Sequence, residues 1–131
     1  MSEIRVSAVI LRRADGHVLL VRKRGTTAFM QPGGKPEPGE DARACAVREL
    51  EEELGLRLDP AGLQPLGEHR AAAANEHGWT VVADCFLHPQ PVPDEVRPAA
   101  EIVETRWVDP ASPPADVELA PLFAQHIARL L

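Results

Sequence analysis

Between Pro38-Gly39 and Gly55 the chain can form only one kind of element. Asp41 follows the Pro-Gly turn as a good N-cap, and Gly55 is the glycine that usually closes a helix. Nothing between them breaks a helix. At about 100° per residue, Glu49, Glu52 and Glu53 fall within an arc of roughly 100°. Val47, Leu50 and Leu54 fall on the opposite side. A helix divided in this way docks its apolar side on a sheet and is expected to turn its carboxylates toward a cleft. Pro32-Gly33-Gly34 precedes it, a loop whose backbone can approach a ligand at conformations barred to residues with a Cβ.

The remaining pattern supplies the sheet. Arg5–Leu11 is apolar on both alternating faces, as in a strand covered on two sides, and Asp15-Gly16 is a hairpin-type turn into Val18–Val21. Phe29-Met30-Gln31 reads as a short strand entering the glycine loop. Leu66–Ala74, Trp79–Leu87 and Ile102–Val108 are further strands, with a turn at Asn75-Glu76-His77-Gly78. Pro89–Pro98 and Asp109–Pro114 are loops. Glu118–Leu131 carries helical apolar spacing at Leu119, Leu122, Phe123, Ile127 and Leu130. The expected fold class is therefore α/β or α+β, one domain over residues 1–131 built around a mixed sheet.

With 131 residues, 44% hydrophobic and 26% charged, the chain is long enough to bury a core without disulfides. Its net charge of −6 argues against a nucleic-acid polymer as partner, which needs a cationic face. An anionic small molecule is still admissible where a divalent cation reverses the local field. Cys45 and Cys85 read as buried reduced thiols. The apolar run at Val6–Leu11 is too short for a signal peptide, and no stretch approaches membrane-spanning length, so a cytoplasmic location is expected.

Like charges at i,i+3 and i,i+4, as in Glu49 with Glu52 and Glu53, each destabilise a helix by about 0.2–0.5 kcal/mol unless a cation lies among them. Hard carboxylate oxygens suit Mg²⁺ or Mn²⁺, with water and phosphate completing the shell. A bare glutamate run is more often a solvated face, but the glycine loop and Lys35 beside it shift that balance.

Gly34, five residues, Glu40, seven residues, then Arg48-Glu49-Leu50-Glu51-Glu52-Glu53-Leu54-Gly55-Leu56 resembles the Nudix box, GX5EX7REUXEEXGU with U a bulky aliphatic, at every fixed position. The preceding PGG loop and the late Arg106-Trp107-Val108-Asp109 element also look like this family, in its MutT-like branch. The resemblance implies an α/β/α sandwich and Mg²⁺- or Mn²⁺-dependent hydrolysis of a nucleoside diphosphate linked to another moiety. It implies that Glu52 and Glu53 ligate metal and that Glu49 is a further ligand or activates water. The Gly33 carbonyl would be another ligand, Arg48 would orient the glutamates, and Glu40 would be a supporting carboxylate. An additional acidic group after the box is expected at Glu101, ahead of Glu104, Glu95 and Glu76. A homodimer also fits the family.

Substrate choice follows by elimination. The chain has no tyrosine, although dinucleoside-polyphosphate hydrolases carry one downstream of the box. Ala71 and Ala72 stand where many ADP-ribose hydrolases have a proline. The tract that marks NADH pyrophosphatases is absent, and Leu19–Gly34 does not fit the element of coenzyme A hydrolases. Nucleoside or deoxynucleoside triphosphates, oxidised ones included, are left as the expected small-molecule substrates. The alternatives are a hydrolase of ADP-ribose or another nucleotide conjugate, and a nucleotide-binding module without turnover. Arg22, Lys23 and Lys35 are candidate phosphate holders, with Arg24 beside them. Phe29 is a candidate base-stacking ring, against core packing. Trp79 and Trp107 are expected to pack at sheet edges, and His69 and His77 are weak substrate candidates.

Overall fold

Strand β1 (Glu3–Ile10) buries both of its faces over its C-terminal half, so alternate residues there feed two different cores. In the computed structural model, which describes residues 2–92 and 96–131, Ala8 and Ile10 point into one apolar cluster and Val9, with Leu11 just beyond the strand, into another. Strand β2 (Val18–Lys23) divides in the same way, Val18 and Leu20 against Leu19 and Val21. The first cluster is capped by Phe123 and Ile127 from the C-terminal helical segment. The second is capped by Ala46, Leu50 and Leu54 from helix α1 (Ala42–Leu54). Strands thus lie between two helical layers, the α/β/α sandwich that the box resemblance implies.

The larger sheet has the order β3-β1-β5-β4, with β3 at Gly33–Gly34, β4 at Gln64–Ala72 and β5 at Thr80–Leu87. β1 and β5 run parallel and the other pairs antiparallel, so the sheet is mixed. β2 pairs instead with β6 (Ile102–Val108) in a separate antiparallel ribbon.

Four expectations are corrected here. The Asp15-Gly16 turn does not yield a continuing hairpin. It is closed by an Arg12–Val18 bridge and by the Leu19 N–H donating to the Leu11 carbonyl at 3.0 Å, after which β1 and β2 join different sheets. Phe29-Met30-Gln31 is reduced to single bridges, Met30 with Val21 and Phe29 in parallel with Leu119. That second bridge also shortens the last helix, because the Phe29 N–H donates to the Glu118 carbonyl and the Ala120 N–H to the Phe29 carbonyl, both at 2.8 Å. Leu119 therefore belongs to an extended segment, and the helix begins at residue 121. It is wound as a π-helix over Phe123–Ile127 and as a 3-10 turn over Ala128–Leu130, leaving Leu130 exposed. Trp79 is exposed rather than packed, whereas Trp107 lies under the Arg13 guanidinium, 5.3 Å from its ring centre. Both cysteines are buried thiols, as expected.

Candidate active site

Helix α1 is held at both ends by local chemistry. The Asp41 carboxylate accepts the Ala44 N–H at 2.7 Å, and Gly55, at φ 69°, closes the helix by donating to the Glu51 carbonyl. The small side chains of Cys45 and Ala46, both fully buried, let the helix lie close to strand β3. The Cys45 thiol donates to the Gly34 carbonyl at 3.3 Å, and the Ser7 hydroxyl of β1 donates to the Ala42 carbonyl at 2.8 Å.

This close approach explains both glycines. A Cβ on Gly33, at φ 152°, would overlap the Ser7 carbonyl oxygen. A Cβ on Gly34 would come within 2.5 Å of the Glu49 carboxylate carbon. The loop is therefore a backbone surface against which α1 sets its glutamates.

The three glutamates do not share one exposed face, which corrects the expectation of an acidic side opposite an apolar one. Glu53 is buried at 1% exposure, beside Leu50 and Leu54. Its Oε1 accepts the Gly33 N–H at 3.1 Å, while its Oε2 is buried with no hydrogen-bond partner among the described residues. The ammonium of Lys23 lies 3.8 Å from that oxygen and 3.2 Å from Glu101 Oε1. Burial pushes the Glu53 carboxyl up to about 7, opposed by Lys23 and by the Gly33 N–H, with Glu49 and Glu101 adding to the rise.

Arg48 organises the opposite edge. Its guanidinium donates to both oxygens of Glu40 at 2.8 Å, to Glu49 Oε1 at 3.0 Å, to Glu52 Oε2 at 3.3 Å and to the Lys35 carbonyl at 3.1 Å. Those bonds hold Glu40 near 2, and the surrounding carboxylates push Arg48 above its ordinary value. Glu52 is half exposed at the rim. Among the described residues no three acidic, histidine or cysteine side chains form a ready-made cage, since Arg48 occupies Glu49 and Glu52 and Glu53 faces inward. An orphaned carboxylate oxygen, with Glu49 electrostatically coupled to it, nonetheless suits a hard divalent cation that keeps water and phosphate in its shell.

A cleft of about 470 Å³ opens over this corner, with Glu49, Lys23, Arg24, Lys35, Glu76 and Glu101 on its walls. Of the candidates, Glu101, Lys23 and Lys35 thus line the cleft. Arg22 is not: it pairs with Glu104 at 2.9 Å and donates to the Thr26 carbonyl at 2.8 Å. Phe29 is also removed from substrate reach, because its Leu119 bridge draws the ring into the core with Phe123. Neither Arg22 nor Phe29 lines the cleft. His69 accompanies His126 at 5.7 Å, outside the cleft. Glu95 lies outside the described residues.

One participant escaped the sequence pattern, and another, Lys23, was expected there only as a phosphate holder. Lys23 meets Glu53 only through folding, although its place at the end of β2 was a hint. Gln31 is buried at 4% exposure, and its Nε2 has no partner among the described residues. Its signal was a polar residue inside an otherwise apolar stretch before the glycine loop.

Comparison with known proteins identifies the class. The chain matches the NUDIX domain over residues 1–130 and belongs to that family. It is 32% identical to the CTP pyrophosphohydrolase of Escherichia coli, over 94% of this chain and 93% of that protein. It is 35% identical to an isopentenyl-diphosphate Delta-isomerase of Cereibacter sphaeroides over 72% of this chain, but spans only 58% of that protein's length. The fold matches a MutT Nudix hydrolase from Burkholderia pseudomallei with a TM-score of 0.73, at 22% identity, over 99% of this chain and 95% of that one. No helix among the described residues is long and apolar enough to cross a membrane.

Proposed function

We propose that this protein is a divalent-metal-dependent pyrophosphohydrolase of nucleoside or deoxynucleoside triphosphates, oxidised forms included. The observation that carries the reading is the buried Glu53 carboxylate, one oxygen fixed by the Gly33 N–H and the other without a hydrogen-bond partner among the described residues, beside the Lys23 that lines the cleft. Glu53 and Glu49 would hold the metal, with Glu52 joining from the rim when Arg48 yields it. Mg²⁺ or Mn²⁺ bound there supplies charge neutralisation on the phosphates and a lowered pKa for water. The chain's own groups do the rest. Arg24 and Lys35 on the cleft walls attract the phosphate tail, and Lys23 balances the Glu53 and Glu101 carboxylates. Glu49, steadied by Arg48, takes the proton of a water whose oxygen bonds to phosphorus as the bridging P–O bond breaks. The electron pair of that bond leaves with the departing phosphate or nucleotide group. Glu40 keeps Arg48 in place throughout.

The near full-length similarity to a CTP pyrophosphohydrolase supports a triphosphate substrate. The isomerase relatives do not carry the same weight. Moving a double bond needs an acid and a base across the carbon skeleton, and among the described residues no carboxylate or thiol lines the apolar cavity beside the cleft.

Product release should be measured with Mg²⁺ across nucleoside triphosphates, oxidised nucleotides, ADP-ribose and nucleotide sugars. Glu52→Gln and Glu53→Gln should each lower turnover about 10²–10⁴-fold with the fold retained. Unchanged kinetics in both variants would sink the metal assignment. Activity confined to ADP-ribose would refute the substrate, and no turnover anywhere would favour a binding module.

A further inference from the structure

Strand β2 ends at Lys23, and a register shift there decides what that residue meets. Arg22 lies opposite Glu104 on β6 and Lys23 opposite Ile102, so Val103 is an extra residue without a counterpart on β2. The bulge brings Ile102 level with Lys23, and Glu101 with it. The Arg24 N–H then pins Glu101 by donating to its carbonyl at 2.8 Å. Strand alternation turns Lys23 to the same side as Val21, which packs with Leu50 and Leu54 of α1.

The ammonium therefore stands between two carboxylates of unlike depth. Glu101 is exposed, 3.2 Å away, whereas Glu53 is buried and its Oε2 lies 3.8 Å away. At that distance the ammonium supplies charge to Oε2 but no hydrogen bond. Arg48, the other cation among these glutamates, reaches Glu40, Glu49 and Glu52 instead. Lys23 is thus the one ion-pair partner of Glu53 among the described residues. Exposed ion pairs contribute little, but a buried carboxylate left without counter-charge is costly. A divalent ion on the open Oε2 would meet the same need with twice the charge, and the neighbouring ammonium would repel it.

We propose that Lys23 is a resident counter-cation, which stands in for the metal's charge at Glu53 and holds down the affinity of the site for free metal. It is a positioning residue, acting through Glu53 and touching no reacting atom. The divalent ion is accordingly exchangeable, and the metal-free protein keeps its buried carboxylate balanced. The inference rests on the proposed role of Glu53 as a metal ligand.

Mn²⁺ binding to the full chain at pH 8 without phosphate, read from the paramagnetic resonance signal of the free ion, tests the competition. Lys23→Met and Lys23→Gln should each bind Mn²⁺ about tenfold tighter than wild type, a factor usual for coupled sites. Lys23→Arg keeps the charge and should stay within about threefold of wild type. With Glu53→Gln already in place, adding Lys23→Met should gain less than about threefold, because the shared carboxylate is gone. In EDTA the two neutral variants should melt at least about 3 °C below wild type, and saturating Mn²⁺ should close the gap. A lysine that only holds phosphate would move neither reading. Equal or weaker Mn²⁺ binding by the neutral variants overturns the proposal, as does unchanged melting in EDTA. So does a gain in Lys23→Arg as large as theirs, or an undiminished gain beside Glu53→Gln. Equal binding by wild type and variants refutes this inference alone. Failure of wild type and every variant to bind Mn²⁺ would overturn the metal role of Glu53 with it.

Discussion

Replacing Glu53 by glutamine should stabilise the protein at alkaline pH when chelator removes divalent metal. In the fold this carboxyl lies near 7, against an ordinary value of 4.5, chiefly because burial disfavours its charge. Below pH 4.5 the group is protonated in folded and unfolded chains alike, so it contributes no pH dependence. Between 4.5 and about 7 the unfolded chain loses its proton first, so stability falls as pH rises. Above about 7 the whole penalty applies, on the order of 3 kcal/mol for a separation of that size. Glutamine keeps an oxygen for the Gly33 N–H and carries no charge to bury. The variant should therefore exceed wild type by roughly 2–3 kcal/mol at pH 8.5, a Tm difference of about 6–15 °C for a chain of this size. Near pH 4.5 the two should converge. Thermal and urea unfolding in EDTA, from pH 4.5 to 8.5, gives the difference curve, in which other titrating groups cancel. Adding Mg²⁺ at about a hundred times its Kd should raise wild type by about 2.7 kcal/mol and the variant by less. Parallel curves for the two proteins across the whole range would refute the buried-carboxylate reasoning.

The two glycines should fail in different ways. Gly33→Ala collides with backbone at a positive φ and should cost at least about 3 kcal/mol, measured by urea unfolding. Gly34→Ala collides first with the movable end of Glu49, so the protein should fold while kcat drops about 10²-fold through the displaced carboxylate. Arg48→Lys loses the two-pronged grip on Glu40 and should lower kcat/KM about 10–100-fold, with a circular dichroism spectrum like that of wild type. Glu101→Gln frees Lys23 from its exposed partner and should change kcat less than tenfold, since Glu53 still holds the ammonium. A loss as large as that of Glu52→Gln would instead give Glu101 a direct catalytic part.

Helix α1 is legible in the sequence because its signals are local. Asp41 and Gly55 bound it, and the observed helix runs from Ala42 to Leu54. The spacing from Gly34 through Glu40 to Leu56 likewise points to the family to which the chain belongs. Strand positions are mostly legible too, since β1, β5 and β6 follow apolar runs. Which strands pair is not. β1 joins β5 across most of the chain, and β2 joins β6, so no turn between β1 and β2 settles their partners.

The depth of each glutamate is a tertiary matter as well. Glu53 lies roughly 60° around the helix from Leu50, a border position by periodicity. It becomes interior because Cys45 and Ala46 are small enough to let α1 settle against Gly33 and Gly34. The same packing takes Phe29 into the core through Leu119 and brings Lys23 to Glu53. It also leaves Gln31 facing an apolar cavity without a partner among the described residues. Residue order specifies the caps, the alternation and the carboxylate spacing, because these depend on neighbours a few positions apart. The three-dimensional fold decides which carboxylate is buried, which cation meets it and which amide is left unpaired, because those depend on contacts between segments that only packing brings together.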